Sequence, residues 1–151
     1  MIHVALDLGT HTGWAALIDG QIVSGVWHFT PGRYEGGGMR YLRFRKKFAE
    51  LCESIAGDFC VAFEEVRRHQ GTDAAHVYGG LMGTLTAYCE ERSIPYQGVP
   101  VGTIKKFATG KGNANKEAMM AAAKVQWPDY DCADDNEADA RWLLALVSAA
   151  A

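Results

Sequence analysis

The sequence predicts an α/β fold in which helices flank a mixed five-stranded sheet. Apolar and polar residues alternate over residues 2–7, which is typical of a strand, and two further strand patterns follow at once. Apolar residues then recur at spacings of three and four in several later segments, which indicates helices. The resulting order is β-β-β-α-β-α-β-α-α. We therefore expect three antiparallel strands first and then two parallel strands.

The first three strands are predicted to form an antiparallel meander. The segments "GWAALI" and "QIVSGVWHF" are separated by Asp19-Gly20, which favours a two-residue type I′ hairpin. Residues 59–65 ("FCVAFEE") are nearly continuously apolar, which indicates a strand covered on both faces. A right-handed crossover sets this strand parallel to the strand at 2–7. The prolines of "IPYQGVPV" favour a strand at the edge or end of the sheet.

Two amphipathic helices are predicted from apolar residues that repeat every three or four positions. These residues are Tyr41, Phe44, Phe48, Leu51 and Ile55 in the first helix, and Ala75, Tyr78, Met82, Leu85 and Cys89 in the second. The opposite face of the first helix is basic and carries Arg40, Arg43 and Lys47. A short helix near 102–108, a helix over 116–127 and a final helix after Asp134 complete the prediction.

The chain has 151 residues, of which 48% are hydrophobic, and this predicts a single domain over residues 1–151. No apolar run approaches the roughly 20 residues that span a bilayer. Four cysteines without a CxxC pair predict buried thiols in a reducing cytoplasm; they are Cys52, Cys60, Cys89 and Cys132. The net charge of −3 does not indicate a nucleic-acid partner, but residues 40–48 and 67–69 are basic and 129–139 acidic.

Acidic residues end both predicted core strands at the same edge of the sheet. Asp7 ends the first strand and Glu64 the parallel one, so their carboxylates converge if these strands are neighbours, about 5 Å apart. In "DDNEADA", Asp135 lies four residues and Asn136 three residues before Asp139, so on a helix they share a face. Clustered oxygen ligands suit a hard divalent cation such as Mg²⁺ or Mn²⁺.

Each acidic residue also has a purely structural interpretation. Asp7 could cap the turn that follows it, and Glu64 could be a solvated strand end. Asp134 with Glu137 matches a capping box at the start of a helix. The Asp-x-Gly-Thr turn at Asp7 is also similar to the first phosphate-binding loop of the actin, Hsp70 and sugar-kinase superfamily. Those proteins need a second such domain and loop, so no nucleotide cofactor is expected here.

The full set of motifs resembles the RuvC group of Holliday junction resolvases, in particular the small bacteriophage-type members. The matching positions are Asp7 in "ALDLGT", Glu64 in "VAFEEV", Lys105 and Lys116 in "VGTIKKFATGKGNANK", and Asp139 in "NEADARWLLAL". The resemblance covers nearly the whole chain in order. It implies a ribonuclease H-like fold, a homodimer, and acidic positions that hold two divalent metal ions. It also suggests a bacterial or phage-infected host cell.

The resemblance implies a crossover junction endodeoxyribonuclease that cleaves four-way or branched DNA symmetrically by two-metal phosphodiester hydrolysis. Asp7 would bridge two Mg²⁺ or Mn²⁺ ions, with Glu64 on one ion and Asp139 on the other. Lys116 would neutralise charge developing on the phosphate, and Lys105 could serve the same role. The products would carry a 5′-phosphate and a 3′-hydroxyl.

Two positions depart from the family pattern. Where the family usually has an acid or histidine three residues before its last aspartate, this chain has Asn136. Either Asn136 binds metal through its amide oxygen or Asp135 takes over. Where the family often has an aromatic wedge, after the second acidic motif, this chain has Arg67.

Basic side chains on several segments are candidate phosphate contacts, which position DNA without reading its sequence. They are Arg40, Arg43, Lys47, Arg67, Arg68, Lys105 and Lys111. The tryptophans at 14, 27 and 142 fit core patterns, and the histidines show no pairing at metal-ligand spacing. The helix "AHVYGGLMGTL" has a small, apolar face that a homodimer could use.

Two alternatives to junction resolution stay open. The first is a ribonuclease H-like nuclease that acts on RNA–DNA hybrids or flaps. The second is a catalytically weak protein that binds junction DNA, which Asn136 makes plausible because an amide is a poorer metal ligand than a carboxylate.

Overall fold

The computed structural model describes residues 1–69, 71–131 and 133–150, and its centre is a five-stranded sheet of order β3-β2-β1-β4-β5. The strands are β1 (Ile2–Asp7), β2 (His11–Ile18), β3 (Gln21–His28), β4 (Phe59–Glu65) and β5 (Tyr96–Pro100). The helices are α1 (Gly38–Glu53), α2 (Thr72–Glu91), α3 (Val101–Thr109), α4 (Lys116–Gln126) and α5 (Asp135–Ala150). The predicted order of strands is confirmed. Three helices follow β5, one more than the order β-β-β-α-β-α-β-α-α contains, and they match the three helices predicted near 102–108, over 116–127 and after Asp134.

The strand directions also follow the prediction. β1, β2 and β3 are antiparallel, whereas β4 pairs in parallel with β1 and with β5. Asp19 and Gly20, with φ of 51° and 77°, join β2 to β3, as a type I′ turn requires. β5 begins directly after Pro95, ends at Pro100 and lies at the edge of the sheet, as predicted.

Two hydrophobic clusters cover the two faces of the sheet. On one face Leu6 and Phe63 pack with Phe44 of α1 and Leu81 of α2. The other cluster contains small strand residues together with α5, namely Ala5, Ala15, Ala62, Leu143 and Val147. Because alanine side chains are short, α5 can lie close to the strands.

The beginning of α5 lies directly against β2 at Gly13. A Cβ atom at this glycine would be 1.9 Å from the carbonyl oxygen of Asn136, far inside van der Waals contact. Gly13 is paired with Asp7 in the sheet. The absence of a side chain at Gly13 therefore brings the first turn of α5 next to the end of β1.

Some predicted burial was wrong. Cys89 is buried, but Cys52 and Cys60 are only half-buried, and Cys132 lies outside the described residues. Ala75, predicted on the inner face of α2, is exposed, because it lies in the first turn of this helix, where residues 71–76 are all exposed and burial begins only at Tyr78.

The three tryptophans that fit core patterns differ in how deeply they are buried. Trp142 is buried, whereas Trp14 and Trp27 are half-buried and stack on each other with ring centroids 5.5 Å apart. Among the described residues, no helix combines the length and the hydropathy needed to cross a bilayer.

Candidate functional site

Three carboxylates from three separate elements meet at one edge of the sheet. Asp7 ends β1, Glu64 lies near the end of the parallel strand β4, and Asp139 is in the second turn of α5. One oxygen of each carboxylate lies within 4.8 Å of the others. The parallel strands explain the first pair, since their carboxyl ends share an edge, and the close approach of α5 adds the third.

Burial and neighbouring charges oppose the ionisation of two of these carboxylates, Asp7 and Asp139. Burial and the charge of Glu64 raise the pKa of Asp7 well above its usual range, and a hydrogen bond with the Glu64 carboxyl acts in the same direction. Burial and Glu64 likewise raise the pKa of Asp139 to about 7. A bound cation would relieve the repulsion that disfavours the charged carboxylates. The all-oxygen donor set fits a hard divalent metal ion.

Asp135 acts electrostatically on this cluster, whereas Asn136 has a backbone role. The charge of Asp135 raises the pKa of both Asp7 and Asp139. The N–H of Asn136 donates to the Oδ1 of Asp134 at 2.8 Å, and its carbonyl lies against Gly13.

The start of α5 is fixed by a side-chain cap. Asp134 Oδ1 also accepts from the N–H of Glu137 at 3.2 Å, as an N-cap residue does. The predicted capping box is thus right for Asp134. It is wrong for Glu137, whose carboxylate accepts from the hydroxyl of Ser24 on β3 at 2.6 Å.

Two lysines place positive charge beside the carboxylates. Lys116 Nζ lies 3.4 Å from Asp135 Oδ2, and 77% of the Lys116 side chain is exposed. Lys105 on α3 is half-buried. Both charges lower the pKa of Asp139, which partly offsets the effect of the neighbouring carboxylates.

Tyr78 holds the backbone around Glu64, a role that the sequence pattern did not reveal. Its hydroxyl donates to the carbonyl of Glu64 at 2.7 Å and accepts from the N–H of Val66 at 3.1 Å. The periodicity of α2 predicted only that Tyr78 is buried. The polar end of a buried tyrosine usually finds a partner, and this was the available signal.

The fold is that of known Holliday junction resolvases. Thermus thermophilus RuvC in complex with a Holliday junction substrate is similar at 20% identity and a TM-score of 0.77, over 99% of this chain and 94% of that chain. The chain has the RuvC fold. This fold is ribonuclease H-like, as the resemblance implied.

Further structures agree with this comparison. Another Thermus thermophilus RuvC structure is similar at 20% identity and a TM-score of 0.73, over 95% of this chain and 91% of that one. The yeast mitochondrial Holliday junction resolvase Ydc2 is similar at 15% identity and a TM-score of 0.64, over 95% and 75%. No protein-family model and no curated protein sequence matches the chain. The bacteriophage type stays a prediction.

Three of the predicted DNA contacts line cavities near the ends of β1 and β4, one of which includes Glu64. Arg40 lines a cavity of about 400 Å³ together with Gly9, in the turn after β1. Arg67 and Arg68 line another of about 490 Å³ that includes Glu64. Arg67 and Arg68 therefore share a cavity wall with Glu64, and Arg40 lies beside the turn that follows Asp7.

The other predicted DNA contacts are less directly related to the site. Arg43 donates from Nη1 to Glu35 Oε1 at 2.9 Å and makes a second hydrogen bond to the same carboxylate. Lys47 lies 3.8 Å from Glu50. Lys111 is exposed after the end of α3. Their contact with DNA stays a prediction.

A histidine pair that the sequence pattern did not reveal lies on the β2–β3 hairpin. The Nδ1 atoms of His11 and His28 are 2.8 Å apart on the surface, and the two residues are directly opposite in the sheet. The hairpin register could have predicted this pair, since the turn at Asp19-Gly20 fixes every cross-strand partner.

Proposed function

We propose that this chain is a metal-dependent endonuclease that resolves four-way DNA junctions. The observation that carries the proposal is the convergence of Asp7, Glu64 and Asp139 on a fold shared with RuvC, one structure of which contains a Holliday junction substrate. Half-buried carboxylates that repel one another are expected where they bind a divalent cation. A catalytically weak binding protein would not need this arrangement.

The proposed ligands are the three converging carboxylates and Asp135. Asp7, which interacts with all the others, would bridge two Mg²⁺ or Mn²⁺ ions. Asp135 is a better candidate than Asn136 for the remaining position, because it is a carboxylate whose charge already acts on Asp7 and Asp139. Two bound ions would supply an activated water and stabilise the leaving 3′ oxygen, giving a 5′-phosphate and a 3′-hydroxyl.

The protein's own residues position the DNA and balance its charge. Lys116 is exposed at the start of α4 and paired with Asp135, so its ammonium group can turn from that carboxylate to a phosphate. Arg40, Arg67 and Arg68 would hold the DNA backbone on either side. Such contacts predict an affinity that falls with salt and depends little on sequence.

A homodimer would provide two sites for the two equivalent strands of a junction. The outer surface of α2 supports this part of the proposal, since Ala75, Gly79 and Gly83 are exposed there and present little side-chain bulk to a second copy. We also propose a cytoplasmic location, in a bacterial or phage-infected cell.

The test is cleavage of a labelled four-way junction, a linear duplex and an RNA–DNA hybrid in Mg²⁺ or Mn²⁺. Symmetric nicks in the junction that disappear in Asp7→Asn are expected. Asp58→Asn is the matched control, because Asp58 is an exposed acid just before β4, at the opposite end of that strand from Glu64. Preferential hybrid cleavage would favour the ribonuclease alternative. Junction binding without cuts in either metal would favour a binding protein.

A further inference from the structure

Ser24 connects β3 to the helix that carries Asp135 and Asp139. Its hydroxyl donates to Glu137 Oε2 at 2.6 Å and accepts from Arg141 Nε at 2.7 Å. Glu137 and Arg141 are four residues apart, so they lie one above the other on α5. A single hydroxyl thus joins a carboxylate and a guanidinium of one helix to the strand opposite.

Arg141 is also held from its other side. Its guanidinium carbon lies 3.6 Å from the ring centroid of Tyr130 and 5.6 Å from that of Trp127, both in the segment between α4 and α5. A guanidinium over an aromatic face is attracted to it. The contact with Ser24 therefore joins β3, α5 and the segment before α5 into one unit.

This unit lies on the flank of α5 away from the carboxylate cluster. Residues two apart on a helix point about 200° from each other, so Glu137 lies nearly opposite Asp135 and Asp139. With side chains about 6 Å from the helix axis, a rotation of about 20° would move a carboxylate by about 2 Å. That displacement is comparable with a whole metal–oxygen bond.

We propose that Ser24 is a positioning residue that fixes the rotation of α5, so that Asp139 meets Asp7 and Glu64 in a geometry that binds metal. Gly13 sets how closely α5 approaches the sheet, and Ser24 sets how the helix is turned. The inference rests on the proposed function only in requiring that the carboxylates bind a divalent ion. It does not require that DNA is cut.

The test compares Ser24→Ala with Ser54→Ala in the whole chain without DNA. Ser54 also uses its hydroxyl in a hydrogen bond, to the carbonyl of Leu51 at 2.6 Å, but at the end of α1. Mn²⁺ affinity is measured by electron paramagnetic resonance, and the midpoint of thermal unfolding is measured alongside. Ser24→Ala should weaken Mn²⁺ binding by about tenfold or more, as is typical when a residue supporting a ligand is lost. Ser54→Ala should leave it unchanged.

Further variants separate positioning from a general loss of structure. Ser24→Thr keeps the hydroxyl and should retain Mn²⁺ affinity within about threefold, well inside the loss expected for a missing support. In a double-mutant cycle, Glu137→Ala should weaken binding much less in the Ser24→Ala background than in the wild type. Glu137→Gln controls for its charge.

Two outcomes would overturn the proposal. One is a Ser24→Ala protein that loses thermal stability but binds Mn²⁺ as tightly as the wild type, because Ser24 would then be merely structural. The other is a wild-type chain without measurable Mn²⁺ affinity, which would overturn the metal site as well. A wild-type chain that binds Mn²⁺ but cuts no junction would contradict only the proposed function, and the Ser24 effect on affinity would still support positioning.

Discussion

Replacing Gly13 by alanine should separate the helix-borne carboxylate from the strand-borne ones. The new Cβ would lie 1.9 Å from the carbonyl oxygen of Asn136, 2.3 Å from its carbonyl carbon and 2.9 Å from the nitrogen of Glu137. All three atoms belong to the backbone, so no side chain can rotate away. To restore an ordinary contact of 3.4 Å, α5 would have to move by about 1.5 Å.

A movement of that size acts on both stability and metal binding. Overpacking of a filled interior typically costs about 1–3 kcal/mol, and the same shift withdraws Asp139 from Asp7 and Glu64. We expect Gly13→Ala to lower the free energy of unfolding by an amount in that range. Junction cleavage and Mn²⁺ affinity should each fall by about tenfold or more, because metal-supporting positions typically have effects of this size.

The assays are denaturant unfolding, Mn²⁺ titration and junction cleavage at saturating DNA. Gly36→Ala is the matched control, since a Cβ there would meet no atom within 4 Å, and it should change none of the three quantities appreciably. A Gly13→Ala protein with wild-type stability and Mn²⁺ affinity would refute the reasoning, because it would mean that α5 does not rest on β2 at this point.

Two other predictions concern the groups around the site. The pKa of Asp139 is about 7 in the folded, metal-free protein, against an ordinary 3.8, so the folded state holds this proton more tightly than the unfolded state does. The stability that protonation provides should be complete below about pH 4 and should be lost as the pH rises through about 7. Mg²⁺ competes with that proton, so in thermal unfolding it should raise the midpoint more at pH 8 than at pH 5.5, and an equal rise would contradict the prediction. Tyr78→Phe leaves the Glu64 carbonyl and the Val66 N–H without their partner, so denaturant unfolding should show that the free energy of unfolding falls by about 1–3 kcal/mol. Tyr88→Phe, in the core away from the site, should lower it less.

The strands and their directions could be predicted because local signals determine them. The two-residue turn Asp19-Gly20 fixes the register between β2 and β3. The parallel pairing of β1 with β4 follows from the handedness of crossovers. Together these explain why Asp7 and Glu64 could be expected at one edge. The two carboxylates meet because each lies near the end of a strand and the sheet topology places these strand ends side by side. The alternation of apolar and polar residues and the order of the elements, both of which can be read from the sequence, predict this arrangement.

The arrangement of α5 could not be predicted in the same way. Helical spacing shows that Asp135 and Asp139 share a face, but it does not show which face of α5 meets the sheet. That orientation depends on contacts such as the hydrogen bond between Ser24 and Glu137, which are 113 residues apart. It also depends on Gly13 in β2, whose lack of a side chain lets α5 approach the strand. Neither residue has a local pattern that distinguishes it from other strand serines and glycines.

The segment "DDNEAD" therefore contains several functions that look alike in the sequence. Asp134 caps α5 through two backbone N–H groups, and Glu137 faces β3, so neither carboxylate is directed to the cluster. The N–H of Asn136 is satisfied by the cap, and its carbonyl abuts β2. Only Asp135 and Asp139 remain to act on Asp7. Lys116 is paired with Asp135 and its charge also lowers the pKa of Asp139. Under the proposed function, a cation bound at these carboxylates would displace this lysine and free its ammonium group for a DNA phosphate. Metal binding and phosphate contact would then be coupled through these carboxylates.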